Sequence, residues 1–223
     1  MSYRWAGAAA LLACVAAVGG TGCDPADDEP ATSTPTTTRA ASATPRTADD
    51  LAAVLVTDVP SGLPRVADAD VDPPAGKKTV DDVAGYAEDP DAERDVLDEY
   101  GYRYGWERFW GTPGATVTSV FVDEFGDPTG ATAYADDLAA DGARFYEGLL
   151  REHPGDLPDG CQLLTTDDPD PESELTGPAA FVWCAHGIFS VAVSAVRPGA
   201  TSVQPAVDEV LAVVDEQLAR LPD

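Results

Sequence analysis

Cysteine, histidine and carboxylate are the side chains able to do chemistry in this 223-residue chain, which holds four Cys, two His and 40 Asp plus Glu. With Cys14 and Cys23 set apart at the N-terminus, Cys161 and Cys184 remain as an even pair. Neither sits in a CxxC pair, and two thiolates are too few for zinc, so the pair reads as a disulfide of an oxidising compartment. Its loop of about two dozen residues would favour the folded state by roughly 3 kcal/mol in the chain-entropy model. His186 lies two residues after Cys184, but an oxidised sulfur is no thiolate nucleophile, so a Cys/His catalytic pair falls away. His153 precedes Pro154 at a helix end, a place where imidazole serves terminal carbonyls rather than acting as a base. The sequence has no GxSxG elbow, HExxH, P-loop, GxGxxG or SxxK motif. No catalytic residue is assigned, and no cofactor or metal is expected.

Two acidic stretches and one aromatic stretch remain. Asp68-Ala69-Asp70-Val71-Asp72 copies the first half of a calcium loop, but Pro73 stands where that loop needs glycine and Thr79 where it needs glutamate. Asp167, Asp168, Asp170, Glu172 and Glu174 form a denser cluster interrupted by prolines. Both read as solvated loops. Tyr102, Tyr104, Trp106, Phe109, Trp110 and Trp183 are the less ordinary group. Aromatics on adjacent strands could line a groove for glycan or lipid, with Arg103 and Arg108 at its rim. The alternative is that they are core beneath helices. The groove reading takes Tyr102, Tyr104, Trp106, Arg108 and Trp183 as its residues.

The elements that must position these groups follow from periodicity and punctuation. Leu51, Val54 and Leu55 predict a short helix from about Ala48, broken by Asp58-Val59-Pro60-Ser61-Gly62. Leu63 to Pro74 is a loop. Thr79 to Tyr100 is helical, divided at Asp89-Pro90-Asp91. Tyr102–Trp110 and Ala115–Phe125 predict a hairpin around Gly111-Thr112-Pro113-Gly114. Asp127-Pro128 opens a helix running to about Arg151, since Asp accepts from orphan N–H groups and Pro suits the first helical position. Cys161–Thr165 is a strand, and Ala179–Ala185 with Phe189–Val196 form a second hairpin around His186-Gly187. A last helix, capped by Thr201 or Ser202, carries Val207, Val210, Leu211, Val214 and Leu218. The expected class is α+β: an antiparallel sheet of two hairpins plus an extra strand, packed against helices.

The ends and the charge set the address. Arg4, the apolar run Trp5–Val18 and the small residues before Cys23 read as a secretory signal over residues 1–22, too short for a span. Gly20-Thr21-Gly22-Cys23 resembles the lipobox of bacterial lipoproteins, with Gly20 where an aliphatic residue is usual. That resemblance implies lipidation of Cys23. Leu11-Leu12-Ala13-Cys14 is a second match, but it would leave Val15–Val18 as an apolar remnant. Residues 23–47 are rich in Ser, Thr and Pro, hold no bulky apolar side chain and predict a disordered tether before a single domain over 48–223. With 13 Lys plus Arg against 40 Asp plus Glu, the net charge of −27 repels phosphate backbones and excludes nucleic acid. It also repels anionic head groups, so membrane attachment falls to the lipid.

Val59-Pro60-Ser61-Gly62, Gly101-Tyr102 with Arg108, Phe125 with Thr129-Gly130-Ala131, and the Cys161/Cys184 pair resemble small actinobacterial envelope lipoproteins. They are similar, more faintly, to extracellular sensor domains of actinobacterial receptor kinases. The resemblance implies an extracytoplasmic, lipid-anchored domain and transfers no functional residue. The expected function is non-enzymatic binding of an envelope lipid, glycan or protein partner. The alternatives are a structural or accessory surface lipoprotein, or a hydrolase with an unrecognised site.

Overall fold

The computed structural model describes residues 44–112, 115–170, 173 and 175–222. The expected signal segment, Cys14, Cys23 and the expected tether as far as residue 43 lie outside the described residues. The elements in order are α1 (Ala48–Val54), β1 (Gly76–Lys78), α2 (Val80–Ala84), α3 (Pro90–Glu99), β2 (Tyr102–Gly111) and β3 (Val117–Phe125). They continue with α4 (Pro128–Tyr146), β4 (Leu149–Arg151), β5 (Cys161–Thr166), β6 (Ala179–His186), β7 (Phe189–Val196) and α5 (Gln204–Leu218). The fold is α+β, as expected. Among the described residues one sheet runs β1-β2-β3-β7-β6-β5-β4, with every neighbouring pair antiparallel.

Helices cover both faces of that sheet. α1 packs on β1 and β2, and α5 on β6 and β7; their side holds Leu51, Leu55, Trp110, Val120, Val122, Leu163, Val191 and Val193. α4 spreads over β3, β5, β6 and β7, and α2 meets β1 and β2; their side holds Leu97, Tyr102, Phe125, Tyr134, Leu164, Phe181 and Trp183. Burial on both sides explains why β3 reads as apolar at successive positions rather than alternating.

The caps of α3 and α4 are those that the residue types specify. Asp127 accepts from the N–H groups of Thr129 and Gly130, with Pro128 at the first helical position of α4. Asp89 and Pro90 do the same for α3. Gly130 is required by contact: a Cβ there would lie 1.8 Å from the Tyr100 carbonyl oxygen.

Four features depart from the sequence reading. α4 stops at Tyr146, not near Arg151, because Glu147 turns left-handed (φ 49°) and Leu149–Arg151 pairs with β5 instead. α5 is not capped by Thr201 or Ser202; Val203 holds that position and its N–H donates to the Asp167 carboxylate at 2.7 Å. β1 and β4 add short edge strands that no run of apolar residues announces. Finally, the β2–β3 register shifts between Tyr102 and Tyr104. That bulge places Tyr102 on one face and Tyr104 on the other.

Candidate functional site

The bulge divides the aromatic group. Tyr104, Trp106 and Trp110 face α1 and α5, whereas Tyr102 and Trp183 face α4. Trp183 is core: its ring stacks on Phe181 with centroids 5.8 Å apart, and α4 passes so close that a Cβ on Gly142 would meet the indole at 2.6 Å. Arg108 is not a rim residue. Its guanidinium donates to the carbonyls of Ala52 (2.8 Å), Val56 (2.7 Å) and Leu55 (3.1 Å), closing the C-terminal end of α1. The five residues of the predicted groove therefore do not share one surface. Tyr104 and Trp106 stay together, each half-buried. The Tyr104 hydroxyl donates to Glu124 at 2.9 Å, and Arg103 pairs with the same carboxylate at 2.7 Å. The Trp106 indole N–H is buried and has no partner among the described residues.

On the opposite face the structure assembles a group that the sequence reading did not find. Lys78, one of the chain's two lysines, is buried on edge strand β1. Its ammonium meets Glu107 at 3.0 Å and the Pro74 carbonyl at 2.7 Å, and lies 5.2 Å from the centre of the Tyr86 ring. The Tyr86 hydroxyl donates to the other Glu107 oxygen at 2.8 Å. Beside them Asp123 accepts from the Tyr102 hydroxyl at 3.1 Å. β2 makes room for this carboxylate with Gly105, its register partner, where a Cβ would stand 2.1 Å from the Asp123 oxygen.

Burial governs the proton affinities here. It pushes the Glu107 carboxyl up to about 7 against the opposing charge of Lys78. Burial, reinforced by the neighbouring Glu107, carries Asp123 up to about 7 as well. Tyr86 and Tyr102 are raised well above the usual phenol range, first by burial and then by these carboxylates, so both remain O–H donors. Asp82, lowered by its hydrogen bonds from Thr79 at the start of α2, stays ionised nearby. The cluster holds one ammonium for two buried carboxylates.

Sequence signals for this cluster exist but are faint. They are the Lys77-Lys78 pair in a lysine-poor chain, Glu107 within an aromatic strand, and Asp123 within an apolar one. A second buried ion pair is structural. Arg197 reaches Glu209 at 3.2 Å, Thr118 at 2.9 Å and the Val117 carbonyl at 2.8 Å, while Ser61 donates to Glu209. It ties α5 and the Val59–Gly62 turn to the sheet. Of the half calcium loop, Asp68 pairs with Arg65.

Residues 62–223 match a family model described as domain of unknown function (DUF7373), N-terminal. No curated protein matches the chain. Among solved structures it is similar to the extracellular domain of PknH from Mycobacterium tuberculosis, with 11% identity and a TM-score of 0.40, covering 66% of this chain and 78% of that one.

Proposed function

The chain belongs to the family described as domain of unknown function DUF7373, N-terminal, and we propose that it is a non-enzymatic, extracytoplasmic binding domain. In this reading a lipid on Cys23 holds it at the outer face of a membrane, and residues 24–47 give it reach. The Arg4-to-Cys23 pattern and the Cys161–Cys184 bond support export to an oxidising compartment.

The observation that carries binding is the pair Tyr104 and Trp106. Tyr104 and Trp106 are both half-buried and pack on the same face of β2, and the Trp106 N–H is buried with no protein acceptor among the described residues. An indole N–H in that condition costs roughly 1–3 kcal/mol unless something accepts from it. An envelope glycan or lipid supplies both an oxygen for that donor and an apolar body for the rings.

Two measurements test the two halves. Native mass spectrometry of the protein purified from its host's envelope should show an extra mass that leaves on activation, and Trp106→Phe should lose most of it. A wild-type mass accounted for by polypeptide and N-terminal lipid alone would end the small-ligand reading. Cys23→Ser should move the protein out of the membrane fraction; retention there, with release by Cys14→Ser, would reassign the anchor.

A further inference from the structure

We propose that the Asp123 carboxylate, with Ser190 beside it, forms a subsite for a small cationic group of the ammonium class. It lies on the face of the sheet opposite Tyr104 and Trp106 and does not depend on the binding role given to them. Asp123 and Ser190 are register partners on β3 and β7. Ser190 shares its face with Ala192 and Val196, two and six residues on, which pack under α4. Its hydroxyl is buried, with the residue 1% exposed, and has no hydrogen-bond partner among the described residues. Asp123 has one neutral partner, Tyr102, and keeps 9% of its surface exposed. It sits where α2, over β1 and β2, gives way to α4, over β3 and β7.

Charge and donor geometry select the ligand class. Facing this point are Lys78 from β1, Asp82 and Tyr86 from α2 and the turn after it, Tyr102 and Glu107 from β2, and Tyr134 from α4. Lys78 is committed to Glu107, so the buried group lacks one positive charge. A proton can supply it, and so can an ammonium, which would donate to the Asp123 carboxylate and the Ser190 hydroxyl. One carboxylate with hydroxyl oxygens is a poor set for a divalent ion, which takes six or more oxygens. It suits the three donors of an ammonium.

Proton and cation then compete for one carboxylate. With Asp123 titrating at about 7, apparent affinity for an ammonium should rise about tenfold between pH 6 and pH 8. The probe is methylammonium chloride, titrated into the full chain and followed by thermal denaturation, against tetramethylammonium chloride at equal ionic strength. A saturable rise in Tm with methylammonium alone, stronger at pH 8, is expected. Asp123→Asn should abolish it and Ser190→Ala weaken it. Equal effects of the two salts would mean screening only, and a saturable response retained in Asp123→Asn would place the cation elsewhere; either overturns the proposal. Asp123→Asn keeps the shape of the side chain and removes the charge. Its own melting curve at pH 6, where wild-type Asp123 is largely protonated, reports whether it folds.

Discussion

Replacing Lys78 by Met should lower the stability of the domain by about 1–3 kcal/mol at pH 8. That pH lies about one unit above the folded pKa of about 7 of Glu107 and Asp123, and a carboxylate left without its counter-charge takes up a proton at about 1.4 kcal/mol per unit. The side chains of Lys78 and Glu107 are each only 4% exposed, so water cannot take over when the ammonium is gone. Glu107 would keep the Tyr86 hydroxyl and lose its counter-charge, with Asp123 still beside it. The pH dependence separates this cause from lost packing. Both carboxylates bind protons more tightly folded, at about 7, than at their ordinary values of 4.5 and 3.8. Groups of that kind favour the native state fully below the unfolded pKa, and their contribution declines as pH rises through about 7. Wild-type stability should therefore carry a falling component between about pH 4 and pH 7 from this pair. In Lys78→Met the Glu107 carboxyl should rise further. The deficit should be small at pH 5, where Glu107 is protonated in either protein, and full at pH 8. Urea denaturation of both proteins at the two pH values measures it. An equal loss at both would assign Lys78 to packing and leave the cluster without electrostatic meaning.

What was legible in the sequence is what local chemistry specifies. The β2–β3 hairpin shows itself through aromatic and β-branched residues around a Gly/Pro turn. The starts of α3 and α4 show themselves through Asp-Pro, and the disulfide through having no other use for the two cysteines left once Cys14 and Cys23 are set apart. The α+β class follows, since each apolar stripe needs a partner. The candidate sites were less legible because they depend on non-local geometry. Alternation along Tyr102, Tyr104 and Trp106 suggests one face, but a bulge at Arg103 moves Tyr102 to the other. That shift turns Tyr102 from a groove residue into the partner of Asp123. Lys78 is a default surface residue by type. It is buried because a three-residue edge strand, β1, is laid beside β2 with Lys78 opposite Gly105. No local periodicity announces a strand of that length. Arg108 looked available because a sequence does not show that three carbonyls at the end of α1 are waiting for a donor.

The second large effect should come from Cys161→Ala with Cys184→Ala. The two residues face each other directly across β5 and β6, are 0% exposed and are bonded across a sequence separation of 23. Removing the cross-link restores chain entropy to the unfolded state worth about 3 kcal/mol, or roughly 6–12 °C in Tm for a domain of this size. The loss should fall mainly on one side of the sheet. Among the described residues β4 pairs with β5 alone, and β5 reaches the rest of the sheet through β6, so the bond fastens the outer two strands to the centre. Amide exchange should therefore quicken in β4 and β5 before β2 and β3. Unlike Lys78→Met, this variant removes no charge, so its deficit should be the same at pH 5 and pH 8. A melting temperature within a degree of wild type would show that the bond constrains little, and would withdraw the support it gives to an extracytoplasmic address. A large loss confined to the β4–β5 side would make the oxidised pair a requirement for an intact sheet.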